Sequence, residues 1–171
     1  QKAPERLIAA FTAIASRAPQ ARLLIIGSGE LEPDLRRQIA SGGIADRVII
    51  DAALPGAEAL QAMDVAVMTS RYEAMSYVML EAAAAGLPLI LTDVGGTINV
   101  LEHEVNGLIV PNTDDATPLI EAMSALCDPA TRTRYAAAAE VRRNRYGLDA
   151  MVEQTIAVYE QAAKVRTRTR D

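Results

Sequence analysis

Short apolar runs alternate along this chain with stretches of helical periodicity, and that alternation limits the fold more than any other feature. The runs are Arg22-Leu23-Leu24-Ile25-Ile26, Val48-Ile49-Ile50, Val65-Ala66-Val67-Met68, Leu89-Ile90-Leu91 and positions 107–110. Each is too short for a helix and too uniformly apolar for a strand with one wet face, so each reads as a strand buried on both faces. Between them, Pro4 opens a pattern that puts Leu7, Ile8, Phe11 and Ile14 on one helix face. Helical stretches follow at 31–40, ended by Gly42-Gly43, then at 55–63 and 76–85, and finally near 114–127, 129–144 and 148–164. Strand–helix alternation of this kind predicts an α/β fold with a doubly wound parallel sheet covered on both faces. At 171 residues, half of them hydrophobic, the chain has room for one such domain and a sizeable core.

In doubly wound sheets ligands bind beyond the carboxyl ends of the strands. The loops there carry Gly27-Ser28-Gly29, Asp51-Ala52-Ala53, Ser70-Arg71-Tyr72-Glu73 and Asp93-Val94-Gly95-Gly96. The third of these leads into a helix at Ser76, a residue type suited to the N-cap. The first backbone N–H groups of that helix, around Tyr77 and Val78, have no intrahelical acceptor and can receive a phosphate, assisted by the helix dipole. Glu81 lies five residues beyond Ser76, roughly 7–8 Å along the axis at about 1.5 Å per residue. Glu73 lies on the other side of the cap. A ligand draped over this terminus would meet one carboxylate with each end. Carboxylates accept hydrogen bonds from hydroxyls, so both ends should be polyhydroxylated, the layout of a nucleotide sugar: ribose, diphosphate, hexose. Two glutamates near a helix start also serve simply as partners of the helix dipole, and the pair by itself leaves both readings open.

The words around the pair narrow the choice. Ser70-Arg71-Tyr72-Glu73, Leu80-Glu81-Ala82-Ala83-Ala84-Ala85-Gly86-Leu87-Pro88 and Thr92-Asp93-Val94-Gly95-Gly96 together resemble the glutamate-x7-glutamate signature of retaining GT-B glycosyltransferases. That large family includes sucrose synthases, phosphatidylinositol mannosyltransferases and bacterial capsule or lipopolysaccharide glycosyltransferases. Positions 21–30 resemble the family's strand and glycine turn, Ala45-Asp46-Arg47-Val48 its turn into the second strand, and Asn106-Gly107-Leu108-Ile109-Val110-Pro111 its late strand. Lys2, five residues before Leu7-Ile8, matches the spacing of the family's diphosphate-binding lysine. The resemblance covers nearly the whole chain.

The resemblance implies a Rossmann-like C-terminal lobe of a GT-B fold, the lobe that holds the nucleoside-diphosphate sugar. It gives Glu73 the catalytic role, binding hydroxyls of the donor sugar and orienting its anomeric carbon. Met75, Ser76, Tyr77 and Val78 would meet the sugar and diphosphate largely through backbone groups. Glu81 would accept from the ribose hydroxyls, and Lys2 would neutralise the diphosphate leaving group. Gly27 and Gly29 would let backbone approach the nucleoside, with Ile50 and Asp51 at the edge of the base. The reaction implied is transfer to a hydroxyl acceptor with retention at the anomeric carbon, in polysaccharide or glycolipid synthesis. It calls for no metal and no other cofactor, because the helix and the lysine supply the positive field. The partner implied is an N-terminal acceptor-binding lobe, which this chain does not contain. Ala74 stands where the family has glycine and Met75 where an aromatic is common, so the loop at the sugar end departs from the pattern.

Composition excludes several alternatives. A net charge of −5, a low aromatic content and no tryptophan leave neither the basic surface that duplexes need nor the stacking platform of single-strand binders, so no nucleic acid partner is expected. A single cysteine, Cys127, allows no intrachain disulfide or cysteine metal cluster, and it reads as a small buried hydrophobe. With no signal-peptide pattern and no transmembrane-length apolar run, a cytoplasmic location is expected. The basic run at 164–170 is either a solvated terminus or a peripheral contact with an anionic inner-membrane surface. A phosphoacceptor receiver domain would want acidic residues where Gly27-Ser28-Gly29 stands. A dinucleotide oxidoreductase would want a third glycine where Glu32 stands. A nucleotide-sugar-binding lobe without catalysis is the remaining alternative. His103, flanked by Glu102 and Glu104, reads as a solvated surface residue and is given no catalytic role.

Overall fold

The computed structural model describes residues 1–168, with side chains as far as residue 164. Apart from Lys164, the basic side chains of the terminal run lie outside the described residues. Among the described residues the five expected strands alternate with eight α-helices, one more than expected: α1 (Pro4–Ile14), β1 (Leu23–Ile26), α2 (Glu32–Ser41), β2 (Val48–Asp51), α3 (Gly56–Gln61), β3 (Ala66–Met68), α4 (Tyr77–Ala84), β4 (Leu89–Thr92), α5 (Thr97–Val100), β5 (Gly107–Val110), α6 (Thr117–Cys127), α7 (Pro129–Arg142) and α8 (Leu148–Arg168). α5 was not expected. It is a single turn directly after Gly95-Gly96, too short to show any periodicity.

All pairing between these strands is parallel. β1 lies beside β2, with Leu23 opposite Val48 and Ile26 opposite Asp51. β4 lies between β3 and β5, with Leu89 opposite Ala66 on one side and Gly107 on the other. The two sheets are not hydrogen-bonded to each other among the described residues.

Two cores cover the two faces of the β3–β4–β5 sheet, as a doubly wound arrangement requires. Alternation along β4 displays it directly. Ile90 joins Leu7, Ile8, Phe11 and Ile14 of α1, Leu35 and Ile39 of α2, and Leu119, Met123 and Leu126 of α6. Leu89 and Leu91 face the other way, onto Leu60 of α3, Met79, Ala82 and Ala83 of α4, and Val100 of α5. Every residue of β4 is buried. In β2, also expected to be buried on both faces, Ile49 is instead 60% exposed, because among the described residues no element packs over that face of the β1–β2 pair. Alanines at 82 and 83 let α4 approach the sheet closely, which fixes where its N-terminus emerges. Cys127 is half-buried at the end of α6, where burial pushes its thiol pKa up. Among the described residues no helix is long and apolar enough to cross a membrane.

Candidate functional site

The loop between β3 and α4 carries Glu73, and the N-terminal segment lies directly against it. The Arg71 amide donates to the Gln1 carbonyl at 2.8 Å. The Gln1 side-chain amide donates to the Tyr72 carbonyl at 3.2 Å. The Thr69 hydroxyl reaches the carbonyls of Lys2 at 3.2 Å and Ala3 at 2.9 Å. These contacts hold Ala3 buried in the left-handed conformation, φ 48° and ψ 50°, that an alanine rarely takes. They also bring Lys2 over Glu73, 71 residues away in sequence, where its ammonium pairs with the carboxylate.

Glu73 is one of few buried charged side chains. Its Oε1 accepts from Lys2 and from the buried Ser70 hydroxyl at 2.9 Å. Burial by itself would raise the Glu73 carboxyl pKa. The hydrogen bonds from Lys2 and Ser70 and the charge of Lys2 outweigh it, and the net shift is downward. Glu73 is therefore an ionised acceptor at neutral pH.

Buried hydroxyls continue the support beneath it. Thr92 of β4 donates to the Ser70 carbonyl at 2.6 Å, and Thr97 of α5 donates to the Thr92 carbonyl at 3.0 Å. The turn at 93–96 presses on the same loop from below. A Cβ at Gly95 would stand 2.4 Å from the Glu73 carbonyl oxygen, and one at Gly96 2.7 Å from that of Ala74. Only glycine permits this approach. Ala74 itself has an ordinary negative φ, so alanine fits the loop without strain.

Ser76 occupies the N-cap of α4 with an extended backbone, but its hydroxyl makes no capping hydrogen bond. The amides of Tyr77, Val78 and Met79 consequently have no acceptor among the described residues. Tyr77, Val78 and Met75 are largely exposed around this terminus. Glu81, one turn in, is exposed, and its carboxylate makes no hydrogen bond or ion pair among the described residues.

At the carboxyl ends of β1 and β2, Gly27 has φ 124°, open to glycine only, and donates to the Asp51 carbonyl at 2.9 Å. Gly29 has open space around it. The Asp51 carboxylate accepts from the amides of Ala53 at 2.7 Å and Leu54 at 3.0 Å, so it shapes its own loop. The Ile50 side chain is half-buried and packs against the core. The structure thus brings the Lys2 ammonium onto the Glu73 carboxylate, in one cluster on the loop that leads through Ser76 into α4. Gly27 and Asp51 are joined in a second, with Gly29 on the same loop as Gly27, and among the described residues no hydrogen bond links the two clusters.

Sequence reasoning missed Ser70, Thr92 and Thr97. It also gave no role to a charged group beside the site, in which Arg6 contacts Asn112 and Asp114 while Arg71 contacts Glu5 and Asp114. Ser70 could have been noticed as a hydroxyl three residues before a loop carboxylate. Thr92 and the charged group are joined to their partners across 22 to 108 residues and leave no local pattern, and the Thr97 hydroxyl bonds the Thr92 carbonyl, five residues away. Away from this region, the His103 Nδ1 accepts from the Ile109 amide at 3.0 Å, a structural use of that ring.

Comparison with known proteins bears on the family and the fold. The sequence pattern of the family described as glycosyl transferases group 1 matches residues 1–128. The alpha-D-kanosaminyltransferase of Streptomyces kanamyceticus is 30% identical over 168 residues, covering 94% of this chain and 43% of that protein. Sucrose-phosphate synthase from Thermosynechococcus elongatus superposes with a TM-score of 0.78 at 29% identity, over 96% of this chain and 43% of that one. Anabaena HepE, solved with UDP and glucose, gives a TM-score of 0.79 at 22% identity over 94% and 45% of the two chains, a likeness of fold. The chain spans about two-fifths of the length of these relatives.

Proposed function

This chain belongs to the group 1 glycosyl transferases, and from that membership we propose that it is the C-terminal, donor-binding lobe of a retaining GT-B glycosyltransferase. The observation that carries the proposal is the Lys2–Glu73 pair beside three α4 amides that lack acceptors. An anionic diphosphate suits both the free amides and the Lys2 ammonium. As the bond to the anomeric carbon breaks, charge grows on the leaving diphosphate. Lys2 and the helix terminus are already oriented to stabilise it, with no metal required.

Glu73, held ionised, accepts hydrogen bonds from hexose hydroxyls and is unsuited to donate a proton. Glu81 accepts from the ribose hydroxyls. Gly27, Gly29 and Ile50 line the nucleoside, beside a loop that the Asp51 carboxylate shapes. UDP is the first nucleotide to test, because the Anabaena neighbour was solved with it; GDP is the second. The acceptor hydroxyl and its binding surface belong to an N-terminal lobe. A role in polysaccharide or glycolipid synthesis, a cytoplasmic location and a peripheral membrane contact through the basic tail complete the proposal.

Titration of the chain with UDP and with GDP, followed by amide NMR, tests it. Saturable shifts at Tyr77, Val78 and Met79 are expected. An absence of saturable shifts with either nucleotide would overturn the assignment.

A further inference from the structure

Arg71 lies on the β3–α4 loop, two residues before Glu73, and its backbone touches the N-terminal segment that carries Lys2. Its amide donates to the Gln1 carbonyl at 2.8 Å, one residue from Lys2, and its carbonyl accepts from the Asn112 side chain at 2.7 Å. Its guanidinium pairs with Glu5 of α1 at 2.6 Å and reaches Asp114, beyond β5, at 3.4 Å. Arg6 closes the circuit, binding Asn112 at 2.9 Å and Asp114 at 2.6 Å. One closed network therefore ties α1, the β3–α4 loop and the segment after β5. Lys2 leaves it on one side and Glu73, two residues from Arg71, on the other.

Stability is a poor explanation for this circuit. The Arg71 side chain is 46% exposed and that of Asp114 86%, and exposed ion pairs contribute little. What the circuit does fix is relative position. Lys2 is 59% exposed and precedes α1, so its placement depends on how the 1–6 segment is tied down.

We propose that Arg71 is a positioning residue: through the Glu5–Arg71–Asp114–Arg6 circuit it sets the Lys2 ammonium over Glu73 and the α4 terminus, where a nucleoside diphosphate would bind. The proposal rests on the donor-lobe reading above and adds to it a residue that acts without contacting the ligand.

A double-mutant cycle tests this, with UDP affinity of the chain measured by calorimetry for the unsubstituted protein, Arg71→Ala, Lys2→Ala and the double variant. Losing a well-placed charged contact to phosphate weakens binding about tenfold or more. Arg71→Ala should therefore lose about tenfold through misplacement of Lys2, and the double variant should bind no worse than Lys2→Ala within about twofold. Arg71→Lys, which keeps a cation for Glu5, should recover part of the loss. If instead the two losses multiply, Arg71 acts through its own charge and the proposal falls. It falls equally if Arg71→Ala binds like the unsubstituted chain. Asn112→Ala, which removes the contacts to the Arg71 carbonyl and to Arg6, gives the same test should Arg71→Ala fail to fold. Failure of the unsubstituted chain to bind UDP or GDP overturns the donor-lobe reading itself and this inference with it, a result distinct from an unchanged Arg71→Ala.

Discussion

Gly95→Ala separates the scaffold beneath Glu73 from the residues that would touch a ligand. The added methyl would stand 2.4 Å from the Glu73 carbonyl oxygen, about 1 Å inside ordinary contact, and 3.0 Å from that of Ala74. Both obstacles are backbone, so no side chain can rotate out of the way. The φ of Gly95 is not in the left-handed region, which makes the effect steric and free of any backbone preference. Overpacking of this kind destabilises by about 1–3 kcal/mol. For a chain of this length that is a fall of roughly 3–9 °C in Tm. The functional effect should be larger than the thermodynamic one. The 93–96 turn is anchored by the Asp93 amide on the Val110 carbonyl at 2.8 Å and by the buried Thr97 hydroxyl, so the 73–75 loop is the part that yields. A displacement of about 1 Å at a reacting centre costs on the order of a hundredfold in turnover. The assay pairs thermal melts of the chain with sugar transfer by the complete protein, and uses Gly56→Ala, which meets open space away from the site, as the control. Unchanged turnover in a destabilised Gly95→Ala protein would refute the reasoning, because the turn would then have moved and Glu73 stayed.

Three shorter predictions concern the rest of the site. Ser76→Ala should leave Tm within about 2 °C of the unsubstituted chain, since the hydroxyl makes no capping bond, where an ordinary cap would contribute about 1 kcal/mol; a larger fall in a thermal melt would mean the cap exists in solution. Asp51→Asn should keep UDP affinity and Asp51→Ala should weaken it, because the carboxylate serves as acceptor for two amides of its own loop; calorimetry with an equal loss in both variants would instead put the charge itself on the ligand. The Glu73 carboxyl has its pKa lowered by folding, so its contribution to stability is complete above the unfolded value, about 4.3, and is lost as pH falls from there through the lower folded value. Denaturant melts should accordingly show Glu73→Gln losing less stability between about pH 5 and pH 3 than the unsubstituted chain does.

The fold was legible because its signals are local. Apolar runs marked all five strands, and Pro4 and Gly42-Gly43 marked helix ends that the structure places within a residue or two. α5 escaped because four residues cannot show a period. The site was legible in a different way. Ser76 to Glu81 could be reasoned from helix geometry, but nothing local says that Lys2 lies over Glu73. The resemblance assigned the two residues to one donor molecule without predicting their contact, which the backbone bonds from residues 1–3 to 69–72 explain. Ser70, Thr92 and Thr97 stayed hidden because a buried hydroxyl and an exposed one look alike in sequence. Asp51 shows the converse. Its position beyond β2 was evident, while the engagement of its carboxylate by Ala53 and Leu54 depends on a turn that the sequence leaves open.

The account centres on one claim, that Lys2, Glu73 and the α4 terminus form a site for the diphosphate end of a nucleotide sugar. Isothermal titration of the chain with UDP and GDP, repeated for Lys2→Ala, tests it most directly. The account predicts saturable one-to-one binding of at least one nucleotide, weakened about tenfold or more by Lys2→Ala through loss of a charged contact to phosphate. Binding that is unaffected by Lys2→Ala, or no binding of either nucleotide, would contradict it.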